Sequence, residues 1–122
     1  MFKKPAILFS TMAILSTQTH AIGYSMDTNK VLPIKVSSEG PTRFSIDQEK
    51  IADVFFYPDL EDGAKVTLHK TGHVFLTPPQ ELKPEHNKLY LTLISDCGHT
   101  QDLRLNFSKM APEPVEIKHA KH

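Results

Sequence analysis

The chain has 122 residues, with 14 Lys and Arg against 14 Asp and Glu and a formal net charge of zero. That length fits one domain, and the balanced charge offers no basic surface for gripping a nucleic-acid backbone. The single cysteine, Cys97, excludes an intramolecular disulfide.

Residues 1–21 read as a secretory signal peptide. Lys3 and Lys4 give a positive start, AILFSTMAIL is mostly apolar, and Thr19 and Ala21 are small residues placed for cleavage after Ala21. The apolar run is too short to span a bilayer as a helix; a short membrane anchor is the alternative reading. Removing Lys3 and Lys4 takes the formal charge to about −2. Residues 22–29 are small and polar, a loose leader.

The spacing from residue 30 onward predicts strands. In KVLPIKVS, Leu32, Ile34 and Val36 alternate on one face. Pro33 lacks an amide hydrogen, so this strand should lie at a sheet edge or begin with its free side outward. Residues 41–63, PTRFSIDQEKIADVFFYPDLEDG, contain the longest aromatic-rich run. They read as a hairpin: strands over 42–46 and 50–56 joined by Asp47-Gln48-Glu49. A helix competes here, because Ser45 and Gln48 mimic a capping box and Ile51, Val54 and Phe55 have helical spacing. The β-branched and aromatic content favours strand.

An acidic turn at residues 58–63 leads to alternating Ala64, Val66 and Leu68. Thr71-Gly72 fits a tight hairpin that returns through Val74, Phe75 and Leu76. Residues 77–88, with three prolines, read as a loop. Leu89, Leu91 and Leu93 alternate with Tyr90, Thr92 and Ile94, apolar enough on both faces for a central strand. After a turn at residues 96–99, Leu103, Leu105 and Phe107 give one more strand. Residues 110–122 show no period that buries a face and read as a tail or linker. The expectation is an all-β fold: a small sandwich of about seven short antiparallel strands over residues 30–109.

Chemistry is thin along this chain. His69 with His73, and Cys97 with His99, are pairs without further ligands, so no metal site is expected. Asp59, Glu61 and Asp62 precede Gly63 but lack the later glutamate of a calcium loop. No nucleophile elbow or phosphate loop is present. Cys97 and His99 as nucleophile and base lack an orienting group. The chain reads as a non-enzyme with no catalytic residues and no cofactor. What remains is surface: strand edges open to pairing, and Phe55, Phe56 and Tyr57, whose alternation turns at least one ring away from the core. These three, with Asp59, Glu61 and Asp62, form the candidate interface, although coverage of the rings by the proline loop is an equally ordinary arrangement.

The order of elements carries a resemblance. VLPIKVS is followed by PTRFSI, a short turn, KIADV, a turn with Asp-Gly, a hairpin ending in VFLTP, then KLYLTLISDCGHTQDLRLNF and APEPVEI. Over residues 31–117 this resembles the amino-terminal half of TraK proteins, secretin-like periplasmic components of F-type conjugative type IV secretion systems. The resemblance implies a structural role in the outer-membrane core complex and in pilus assembly for DNA transfer. It implies a lipoprotein and an envelope-spanning inner-membrane protein as partners, a homo-oligomeric ring, and no direct contact with nucleic acid. The family's carboxy-terminal domain has no counterpart after Lys109, and Cys97 matches no family motif. An unrelated periplasmic sandwich acting as a binding or chaperone-like module is the second reading.

Overall fold

Alternation of apolar and polar side chains organises two sheets. The computed structural model describes residues 22–57, 63–82, 84 and 87–119. Among them nine strands form: β1 (Ile22–Ser25), β2 (Val31–Ser37), β3 (Thr42–Ile46), β4 (Ile51–Tyr57), β5 (Lys65–Leu68), β6 (Val74–Thr77), β7 (Lys88–Ser95), β8 (Thr100–Ser108) and β9 (Val115–Lys118). One sheet has the order β1-β9-β3-β6-β5, the other β2-β8-β7-β4. No α-helix forms among the described residues. The protein is an all-β sandwich, as its spacing predicts. The signal-peptide reading of residues 1–21 lies outside the described residues.

Each sheet gives one face to a shared core. The five-stranded sheet contributes Phe44, Ile46, Val74, Leu76, Val115 and Ile117; the four-stranded sheet contributes Ile34, Val36, Leu89, Leu91, Leu93, Leu103, Leu105 and Phe107. Burying a side chain of this size stabilises the fold by about 1.5–3 kcal/mol. β7 lies inside its sheet and β2 at an edge, as Pro33 requires. Thr42, Ser95 and Gln101 are buried polar residues at inward positions of their strands. Gln101 accepts from the Asp27 amide (2.7 Å) and donates to the carbonyls of Asp27 (3.1 Å), Lys30 (3.0 Å) and Asp102 (3.0 Å), which ties down the chain between β1 and β2.

Four expectations are corrected. First, the strands at residues 42–46 and 50–56 form, but not as a hairpin. β3 pairs with β6 and β9 in one sheet, and β4 pairs with β7 in the other. Residues 47–50 therefore cross from sheet to sheet. The turn lacks the Gly or Asn that a two-residue hairpin needs, and Gln48 takes the left-handed conformation itself, at φ 64°.

Second, residues 110–119 are not a loose tail. β9 is an interior strand, parallel to β1 on one side and β3 on the other, with Val115 between Ile22 and Phe44 and Ile117 between Tyr24 and Ile46. Third, the leader at residues 22–29 supplies β1. Fourth, the sheets are mixed rather than antiparallel: β1–β9, β3–β9 and β2–β8 run parallel. The count rises from seven strands to nine because β1 and β9, unlike the equally short β5 and β6, have no hairpin turn beside them to mark them as strands.

Two hairpins share one loop design. In the β5–β6 loop the Gly72 amide donates to the His69 carbonyl (2.9 Å) and the His69 amide to the His73 carbonyl (2.9 Å). In the β7–β8 loop the Gly98 amide donates to Ser95 (3.0 Å) and the Ser95 amide to His99 (2.8 Å). Each is a three-residue loop closed by a left-handed glycine, at φ 91° and 89°. Histidine follows the glycine in both.

Candidate functional site

The edge strand β4 carries the aromatic surface. Paired residues on neighbouring strands point to the same side of a sheet. Phe55 lies opposite Thr92 and Tyr57 opposite Tyr90, so both rings project from the outer face; Phe56 lies opposite Leu91 and points inward at the open edge. Exposure follows: Tyr57 72%, Phe55 58%, Tyr90 44% and Phe56 38%. The rings of Phe55 and Tyr57 are thus neither core nor covered by the proline loop. Tyr90 joins them through the register alone, a relation that spacing within one segment does not reveal. Asp59, Glu61 and Asp62 lie outside the described residues.

The two edges of the four-stranded sheet differ. β2 is blunted by Pro33 and Lys35. β4 contains neither proline nor lysine. Its start is irregular, with a register shift between Ile51 and Asp53, and the Val54 amide is taken by the Asp53 carboxylate (2.8 Å). The stretch beyond, Phe55 to Tyr57, remains extended and apolar, the kind of edge to which another strand adds.

A second assembly sits where residues 47–50 cross between sheets. The Asp47 amide donates to the Ile117 carbonyl (2.8 Å), the Ile51 amide to Gly72 (2.9 Å), and the Asp96 amide to Lys50 (2.8 Å). The crossing is thereby tied to β9 and to both hairpin loops. The Glu49 side chain, only 5% exposed, lies among them. Its Oε2 is 3.0 Å from His99 Nδ1 and 2.8 Å from His119 Nε2. The two imidazoles meet edge to face, 5.5 Å between centroids.

Burial alone raises the carboxyl's pKa. Hydrogen bonds from Ser95 and His99 and the nearby charge of both imidazoles outweigh it, and the net shift is below the ordinary value. Cys97 is exposed. Local desolvation, then the carboxylates of Glu49 and Asp96, push its thiol up, which disfavours the thiolate. His99 faces Glu49, so the Cys97–His99 pair of the sequence resolves into a Glu49–His99–His119 cluster. Sequence reasoning missed Glu49 and His119, which come from a turn and from the stretch taken for a tail. His69 and His73 stay apart from this cluster, each near Thr71 Oγ1 (2.9 and 3.4 Å).

A shallow cleft of 220 Å³ opens among the described residues between Pro41, Arg43, Phe75, Pro112, Glu113 and Pro114. It is below the usual size of a small-molecule site, about 300 Å³ and upward.

No curated protein matches this chain. A family model described as the TraK N-terminal domain matches residues 25–122. The match takes in β9, so the stretch read as a tail is part of the family domain. The chain belongs to the TraK family through its N-terminal domain, and so to the proteins of conjugative transfer by type IV secretion.

Proposed function

We propose that this protein is a non-enzymatic structural component of the transfer channel, working in the periplasm after removal of residues 1–21. It contributes to the outer-membrane core complex and to pilus assembly. Its partners are a lipoprotein and an envelope-spanning inner-membrane protein, in a ring of like subunits that makes no direct contact with the transferred DNA. Family membership supports the process. The observation that carries the mode of action is the β4 edge, where Phe55 and Tyr57 project beside Tyr90.

An exposed aromatic group on a strand edge supplies both main-chain pairing and the anchor residues that dominate protein interfaces. The test is capture from envelope extracts of conjugating cells. Recovery in a large assembly with a lipoprotein and an inner-membrane protein is expected. Recovery of soluble monomer with no envelope partner overturns the reading.

A further inference from the structure

We propose that Glu49, His99 and His119 form a binding site for one divalent transition-metal ion, zinc in the first instance. The three ligand atoms lie within 4.8 Å of one another. Both imidazole nitrogens approach one carboxylate oxygen, at 3.0 and 2.8 Å. Two imidazoles and one carboxylate are a donor set that zinc takes in three-ligand sites, with solvent in the fourth position. Without metal, the His99 imidazole hydrogen-bonds the carboxylate, and His119 Nε2 stands 2.8 Å from the same oxygen. An ion among the three donors draws on one nitrogen lone pair from each imidazole and on a carboxylate oxygen.

The site is built rather than incidental. Glu49 stands on the crossing between sheets, whose neighbouring amides and carbonyls bond to Ile117, Gly72 and Asp96. His99 closes a hairpin loop whose Ser95 hydroxyl accepts from the amides of Cys97 (3.1 Å) and His99 (3.0 Å). His119 directly follows the interior strand β9. A bound ion joins these three segments at one end of the sandwich, independently of the aromatic β4 edge, and acts as a clamp on β9.

The test is zinc uptake by the full chain without an affinity tag, by metal analysis after dialysis against buffered zinc. Cobalt(II) serves as a second probe, because its visible spectrum reports coordination geometry. One zinc per chain is expected for the wild type and for His73→Ala, which removes a histidine of the other hairpin. His119→Ala and Glu49→Gln should each weaken binding by more than about 100-fold, beyond the 10–100-fold typical of losing a group that only orients a ligand. Circular dichroism confirms that the variants are folded. Absence of stoichiometric zinc in the wild type, or uptake unchanged in folded His119→Ala and Glu49→Gln, overturns the proposal.

Discussion

Tyr57 stands opposite Tyr90 where β4 pairs with β7, and both rings face solvent on the outer side of the four-stranded sheet. Such a pair contributes about 0.2–1 kcal/mol across strands. Tyr57→Ser and Phe55→Ser should therefore leave the domain folded, with a loss of about 1 kcal/mol or less in urea denaturation. Unfolding of either variant would assign this end of β4 to the core.

β9 gives the opposite expectation. Ile117 is fully buried between Tyr24 and Ile46. Ile117→Ala should cost about 2–5 kcal/mol through lost burial and a cavity. Lys118→Ala, one residue on and exposed, should change stability by about 0.5 kcal/mol or less. Equal, small effects in denaturant would restore the tail reading.

The two loop glycines should differ despite their shared conformation. A Cβ on Gly98 meets nothing within 4 Å, whereas a Cβ on Gly72 falls 2.6 Å from Lys50 Cβ and 2.9 Å from Lys50 Cα. Gly98→Ala should cost only the left-handed backbone penalty, about 1–2 kcal/mol. Gly72→Ala should cost clearly more, because the crossing between sheets must shift. Thermal midpoints of the two variants decide it; a Gly98→Ala loss equal to or larger than that of Gly72→Ala would refute the contact.

Acid should weaken the crossing through Glu49. Its carboxyl is held below the ordinary value in the folded state, so its contribution is fully present above the unfolded pKa, about 4.3. The contribution is lost as pH falls through the lower, folded value. Glu49→Gln should be less stable than wild type near neutrality, and the gap should close as acidification takes the wild type through that lower pKa. Thermal midpoints against pH measure this, and a gap that stays constant through acid would contradict it.

Period-two alternation made most strands legible, because Leu32, Ile34 and Val36, or Leu103, Leu105 and Phe107, declare a buried face without reference to anything else. The core strands of the four-stranded sheet and the β5–β6 hairpin were readable for that reason. β9 was not: Val115 and Ile117 give two apolar residues after prolines, and their meaning comes from parallel partners at Ile22 and Phe44 far along the chain. The same limit explains the false hairpin. Asp47-Gln48-Glu49 is a turn, but a turn does not say whether the next strand stays in the sheet. The Glu49–His99–His119 cluster was illegible because its members lie on three segments whose proximity depends on that crossing. The aromatic group was half legible: alternation turns at least one of Phe55, Phe56 and Tyr57 away from the core, but only the register with β7 assigns Phe55 and Tyr57 to the outer face and adds Tyr90.

On the proposed function, the β4 edge holds this protein in the transfer apparatus. Capture from envelope extracts, run side by side with wild type and Tyr57→Ser, tests it most directly. Wild type should bring down a lipoprotein and an inner-membrane partner in a large assembly, while folded Tyr57→Ser should be recovered as a monomer. Equal recovery of those partners by wild type and variant would contradict it.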